Sequence, residues 1–306
     1  ARGGNLDEPG VGDVIAALAE HAPSLLVYAN VDPQLVSDVI ARPLPRGDGE
    51  VSFAARFDAA TRDLEDGPEL MRVLRRLRHR AVVRIALREI HRLADVDGTS
   101  AEMAALAGAV THAAYAVVRR SFEAKHGPIR DAEGEPIPFV VLGMGKLGGG
   151  ELNLGSDVDF ILLYGTDEGT VGTSGMSVHD AFARIAVRLS KVLAEPTEDG
   201  FCFRVDHRLR PEGSHGPLVN SLASAERYYE AFGRPWERAA MLRARPVAGD
   251  RELGERMIAE LKPFVYPRTP DPKMPHELRA MVERSRRELA REPDRDVKLC
   301  RGGIRE

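Results

Sequence analysis

Residues 140–164 read VVLGMGKLGGGELNLGSDVDFILLY. Residues 139–142, an apolar run between Pro138 and the first glycines, predict a buried strand, and Val158–Tyr164 predicts a second. The Gly143-x-Gly145-x-x-Gly148 between them invites a dinucleotide-binding reading. That fold needs a full crossover helix after the third glycine, with an acidic residue about 20 positions on. Here Asn153, Gly155 and Ser156 interrupt at once, and the acidic residues come too soon. A Walker loop fails too, because Leu147 follows Gly145-Lys146 where Ser or Thr is needed and position 140 is Val.

The carboxylates carry more. Asp157 and Asp159 are two apart at a strand opening, so strand periodicity puts both on one face, where they repel. A cation must hold them ionised together, and hard oxygen ligands at short spacing suit Mg²⁺ bound with substrate phosphates. Residues 201–210 predict a third strand, on which Asp206, Arg208 and Arg210 share a face at period two. That sets an anion site beside a metal site. Asp-x-Asp alone is usually a solvated turn. Joined to a glycine turn and an acid on a later strand, it predicts two-metal phosphoryl transfer. Lys146 stands either to meet a phosphate as a point charge or as a solvated surface lysine. His207 alternates away from Asp206 and is not the expected base.

Upstream, apolar positions at helical spacing predict helices over Val11–His21, Leu35–Ile40, 53–64, 70–93 and 102–125. Thr99 and Glu102 stand three apart, as in a reciprocal cap. The segment GPIRDAEGEPIP (127–138) closes this helical part. Downstream, a helix over residues 178–193 is followed by the third strand and by helices over 223–232, 236–242, 251–261 and 276–291. The expected division is a helical domain 1–126, an α/β domain 127–250 with a mixed sheet, and the start of a helical segment 251–306. Arg72, Arg75, Arg76, Arg78, Arg80, Arg84, Arg88 and Arg92 crowd one helix. Without aromatic stacking platforms, they read as solvated and salt-bridged between domains, not as a nucleic-acid footprint. Trp236, near Tyr228, Tyr229 and Phe232, reads as core.

Composition agrees with a globular chain: 306 residues, 43% hydrophobic, 29% charged and a net charge of −4 exclude disordered, fibrous and disulfide-rich classes. The small net charge gives no global drive toward nucleic acid or anionic membrane. The polar start without an initiator Met, and the lack of an uninterrupted apolar run near eighteen residues, lead us to expect a cytoplasmic fragment. Cys202 and Cys300 are too few for a disulfide framework, and Cys202 reads as a buried reduced thiol.

Residues 140–164, RVDHRLRPEGSHGPL (204–218), YYEAFGRPWERAAMLRARPVAGD (228–250) and RGGIRE (301–306) resemble the glutamine synthetase adenylyltransferase/adenylyl-removing enzymes. These belong to the polymerase-β-like nucleotidyltransferase superfamily. LRRLRHRAVVRIALREI (74–90) is similar to the family's arginine-rich helix, so the resemblance covers the chain from about Arg75 onward. It implies an α+β fold and one of the two nucleotidyltransferase units such proteins carry in tandem. Asp157, Asp159 and Asp206 fall at the catalytic metal carboxylates, and Gly148 and Gly149 at the phosphate turn. That turn is Gly-Ser in the superfamily and Gly-Gly here, so backbone N–H groups or Ser156 are expected to supply the serine's contact. Lys146, Arg208 and Arg210 would add positive charge for nucleotide and phosphate. The wording of the glycine loop, of 228–250 and of the 301–306 motif resembles the unit that removes AMP from a glutamine synthetase tyrosine by phosphorolysis to give ADP. The implied partners are glutamine synthetase, a PII-type signal protein, adenine nucleotide and phosphate, with Mg²⁺ as cofactor. The alternatives are the adenylylating unit and a non-catalytic nucleotide-binding module.

Overall fold

A computed structural model of the chain describes residues 10–42, 44–269 and 272–289; Cys300 and the 301–306 motif lie outside them. Among the described residues six α-helices come first: α1 (Val11–His21), α2 (Leu26–Val31), α3 (Leu35–Ile40), α4 (Glu50–Thr61), α5 (Pro68–Ile90) and α6 (Val96–His126). Then follow β1 (Ile129–Arg130), β2 (Phe139–Gly143), α7 (Gly145–Gly148), β3 (Val158–Tyr164), β4 (Thr170–Val171), α8 (Val178–Ala194), β5 (Val205–Asp206) and β6 (Val219–Ser221). The described part ends with α9 (Leu222–Phe232), α10 (Pro235–Met241), β7 (Arg245–Gly249), α11 (Arg251–Glu260), α12 (Lys262–Val265) and α13 (Met274–Leu289).

The main sheet runs β5-β3-β2-β7, and β6 pairs with the far end of β3. β2 is antiparallel to β3 and β7, whereas β5 and β6 run parallel to β3, so the sheet is mixed as expected. Side chains of β3 alternate between two cores. Val158, Phe160, Leu162 and Tyr164 join the core of the helices, while Ile161 and Leu163 pack with Tyr229, Met241, Leu253 and Met257 on the other face. α8 shows how the pattern becomes packing. Ser177 caps it by accepting from the Asp180 N–H at 3.0 Å, and Phe182, Ile185, Ala186, Leu189 and Leu193 all turn inward and are buried. Each large side chain so buried contributes about 1.5–3 kcal/mol. Pro196 stands just beyond its end.

Several expectations are corrected. Of the strand expected over 201–210 only Val205–Asp206 pairs. Cys202 and Phe203 donate their N–H groups to Leu193 O, and the Asp206 carboxylate captures the Arg208 N–H at 2.8 Å, folding the chain into a turn. β6 and β7 had no clear sequence signal. They are short, and Pro246 sits at a register shift on an edge strand, where proline is tolerated. α6 is capped by Asp95, which accepts from the Gly98 N–H at 2.8 Å. Thr99 lies inside the helix, and Glu102 instead accepts from the Asp48 N–H and pairs with Arg88 at 3.1 Å. By length and composition α6 is apolar enough to cross a membrane; here it is a core helix packed on α4, α5, α8 and β7. The 126/127 boundary marks the end of α6 but does not separate two cores, because one hydrophobic cluster runs from α1 through β3 to α8. At 250/251 the chain is continuous in packing too, since α11 lies on β2 and β7. Of the aromatic group, Tyr229 is buried, Tyr228 and Trp236 are half-buried, and Phe232 is exposed.

The arginine-rich helix is paired between elements as expected, but four of its arginines are not solvated. Arg75, Arg78, Arg84 and Arg88 are buried. Arg75 donates to Gly200 O at 2.7 Å, Glu195 O at 2.6 Å and Met71 O at 2.8 Å, clamping the loop before β5 onto α5. Arg78 donates to the Tyr28 hydroxyl and lies over the Tyr28 and Phe203 rings. Arg84 and Arg88 hold carbonyls of the 42–46 segment. Arg75→Ala is therefore expected to destabilise the chain by about 3 kcal/mol or more, because three carbonyls lose their donor at once. Arg75→Lys should recover only part of that. Urea unfolding of both variants measures it.

Candidate active site

The end of β2 and the starts of β3, β5 and β7 meet at one edge of the sheet, because Gly143 pairs with both Phe160 and Arg245 and Val158 pairs with Val205. There Asp159 and Asp206 are direct partners across the parallel β3–β5 ladder. Both project to the face that also carries Ile161 and Leu163. Gly145, in the left-handed region at φ 53°, closes on this pair; a Cβ there would stand 3.2 Å from Asp159 Oδ2. Asp157 lies just ahead of β3, and its Oδ1 accepts from Arg204 Nε at 2.5 Å. Asp206 accepts from the Arg208 N–H and guanidinium, which holds its carboxyl below the usual carboxylate range. The three aspartates thus gather at one strand edge, two of them faced by arginines. Arg204 was missed in the sequence, although it stands two residues before Asp206, where period-two spacing would have marked it.

The glycine turn serves a different purpose from the one expected. The N–H groups of Gly148, Gly149, Gly150 and Glu151 all donate to carbonyls between Met144 and Leu147, so they are not available as phosphate donors. Gly148 is required by shape: a Cβ there would lie 1.8 Å from Arg243 O and 2.3 Å from Gly143 O. α7 is four residues long, which agrees with rejecting a dinucleotide fold. Lys146 is half-buried, and with the Asn153 amide turned so that its oxygen faces the ammonium, Nζ donates to it at 3.3 Å. Ser156 is half-buried in the turn before Asp157, its N–H donating to Asn153 O.

Arg210 is placed away from the acids. The strand has ended, and its guanidinium donates to the carbonyls of His207, Ser214, Gly216 and Pro217, bracing the 207–217 loop. The strand alternation that would have aimed it with Asp206 is absent. His207 turns away from Asp206, as expected, to Ser190 Oγ at 2.8 Å. Burial, then Arg210, pushes its pKa down to about 4. His79, stacked on Tyr28 at 3.9 Å, is pushed to about 3 by burial and its arginine neighbours. Both are neutral when folded, whereas the unfolded chain binds their protons near pH 6.5. Stability is then complete above that pH and falls as pH drops toward 4, with a slope of about 1.4 kcal/mol per pH unit for each histidine. His207→Gln should flatten the slope between pH 6.5 and 4 in unfolding titrations.

Among the described residues no three His, Cys, Asp or Glu side chains stand as a ready metal cluster. Asp157 and Asp206 are turned to Arg204 and Arg208. The donor chemistry nevertheless fits a hard divalent ion: three carboxylates at one edge, two of them adjacent in register, with guanidinium groups as the balancing cations.

The profile of the family described as glutamate-ammonia ligase adenylyltransferase matches residues 13–260, from within α1 to the end of α11. The chain belongs to that family. It is 44% identical, over 95% of its length, to the bifunctional glutamine synthetase adenylyltransferase/adenylyl-removing enzyme of Thioalkalivibrio sulfidiphilus. It is 43% identical, over 86% of its length, to the protein of the same name from Pseudomonas aeruginosa. It spans 29% and 27% of those two proteins, less than a third of either. In this glutamate-ammonia ligase adenylyltransferase family chain, the matched span contains the glycine turn, Arg204 and all three aspartates.

Proposed function

We propose that this chain removes AMP from an adenylylated tyrosine of glutamine synthetase by phosphorolysis, releasing ADP. The observation that carries the reading is the adjacency of Asp159 and Asp206 across β3 and β5, beside a glycine turn that leaves room against Asp159. Asp157, Asp159 and Asp206 would hold Mg²⁺, which when bound supplies charge neutralisation at the α-phosphorus and its attacking and leaving oxygens. In the step, the bond from tyrosine oxygen to phosphorus breaks as one forms from a phosphate oxygen, and the proton of hydrogenphosphate ends on the phenolate. A phenol of pKa about 10 is a tolerable leaving group under those conditions, so no strong general base is required. Arg208 and Lys146 supply positive charge near the reacting phosphates. In the adenylylating direction the tyrosine hydroxyl must lose its proton, and Asp206 would be the base.

A groove of about 640 Å³ on the same sheet face, lined in part by Pro211, Asn220 and Tyr228, suits the nucleoside. Asn220 pairs with Leu163, four residues along β3 from Asp159, which separates them by about 13 Å, a distance on the scale of a mononucleotide. Removal over addition rests on the wording of the glycine loop and of 228–250. The PII-type partner is what the family resemblance implies, a cytoplasmic location is the expectation drawn from the sequence pattern, and no residue here is assigned to either. The test is to incubate the chain with Mg²⁺, adenylylated glutamine synthetase and phosphate, and to identify the nucleotide by mass. ADP that appears only with phosphate supports the reading. Free AMP would mean hydrolysis, and AMP incorporation from ATP into unmodified synthetase would make this the adenylylating unit.

A further inference from the structure

We propose that Arg204 is the residue that selects inorganic phosphate at this site: Asp157 holds it in the metal-free chain, and it turns to the attacking phosphate once a divalent cation takes that carboxylate. The inference deepens the phosphorolysis reading and rests on it.

Position comes first. The Arg204 carbonyl accepts from the Val158 N–H at 2.9 Å, so its backbone is anchored where β3 opens between Asp157 and Asp159. Its side chain is 65% exposed, and its contacts are Asp157 at 2.5 Å and Gly155 O at 3.2 Å. The buried arginines of α5 and Arg210 spend their guanidinium groups on carbonyls that shape the fold. Arg204 braces little beyond the carboxylate it faces. Asp157 is itself 53% exposed, and a pair so open to water is held only weakly. It can therefore exchange one cation for another without disturbing the packing beneath it.

Charge gives the exchange a direction. In the chain as it stands, Asp157 and Asp206 are each matched by an arginine, Arg204 and Arg208. Each divalent ion bound at the carboxylates adds two positive charges and frees a guanidinium. That excess is relieved by an anion, and two oxygens of the tetrahedral hydrogenphosphate are what a freed planar guanidinium grips in bidentate fashion. Metal and phosphate should consequently bind with positive coupling, and Arg204 should carry that coupling.

The experiment measures Mn²⁺ binding by electron paramagnetic resonance with and without inorganic phosphate, and with and without AMP, in the unchanged chain and in Arg204→Gln and Arg204→Lys. In the unchanged chain phosphate is expected to tighten Mn²⁺ binding by between about 5- and 150-fold, the usual range for two coupled sites. Arg204→Gln should bind Mn²⁺ up to about fivefold more tightly without phosphate, since the competing ion pair is gone. It should also lose the tightening by phosphate while keeping that produced by AMP. Arg204→Lys should keep part of the phosphate effect. Because the side chain is exposed, all three proteins should melt at the same temperature. Phosphate coupling in Arg204→Gln equal to that of the unchanged chain would overturn the role of Arg204 while leaving the phosphorolysis reading standing. Absence of phosphate coupling from the unchanged chain itself would overturn both.

Discussion

Asp159→Asn is expected to lower turnover by about a thousandfold or more, the scale of several kcal/mol of charge stabilisation at the phosphoryl group. Its carboxylate lies in the central strand, beside Asp206 and under Gly145. The amide keeps the shape and one acceptor oxygen but removes the charge that would hold a divalent ion. Asp206→Asn should do the same, and Asp157→Asn as well, each without unfolding the chain. In the metal-free protein Asp157→Asn gives up only an exposed ion pair, so its stability should change by no more than about 1 kcal/mol, whereas Asp206→Asn weakens the N–H and guanidinium contacts from Arg208 and should cost about 1–2 kcal/mol. Phosphorolysis rates at saturating phosphate, read beside thermal melts, separate the two effects. Near-normal rates in any two of the three would remove the metal-carboxylate assignment.

Gly148→Ala is expected to destabilise the chain by about 3 kcal/mol, at the upper end of what overpacking costs, and to abolish activity with it. The added methyl would sit 1.8 Å from Arg243 O and 2.3 Å from Gly143 O. Those are backbone atoms, Gly143 at the end of β2 and Arg243 in the turn before β7, and cannot swing aside as a side chain would. Gly149→Ala is the control. Its backbone is right-handed at φ −73°, and the nearest atom to an added Cβ is at 3.4 Å, so its stability should change by no more than about 0.5 kcal/mol. Denaturant unfolding of the pair tests whether shape restricts the turn at the first glycine alone. If Gly149→Ala folds normally yet loses phosphate binding, the second glycine lies against the ligand.

Much of the centre of the sheet was legible. β2 and β3 are apolar runs buried on both faces and bounded by proline and glycine, and α8 keeps an unbroken helical period. Of the acids, Asp159 and Asp206 lie on strands as expected, whereas Asp157, expected on the same strand face as Asp159, stands just ahead of β3; the adjacency of Asp159 and Asp206 needed the strand order, which no local pattern encodes. What could not be read depended on contacts made at a distance. β6 and β7 are strands because β3 and β2 offer open edges to them, not because VNS or RPVAG has a period. The third strand stops at Asp206 because one carboxylate captures one N–H two residues on, an event that alternation cannot report. Arg75 and Arg78 do stand at helical spacing with Leu74, Val82 and Ile85, which was a signal that these two face inward. Their burial nonetheless depends on partners 50 to 125 residues away in sequence.

The hydrophobic cluster that runs from α1 through the sheet to α8 bears on how the molecule can be taken apart. Excising the six leading helices would take Tyr115 from Phe139 and Arg119 from Phe182, and would strip from the loop before β5 the guanidinium that clamps it. The strand carrying Asp206 follows that loop by a few residues and is tied to β3 by only two rungs. The edge that carries Asp206 and the helical layer are consequently expected to melt together, so that heat should reveal one calorimetric transition.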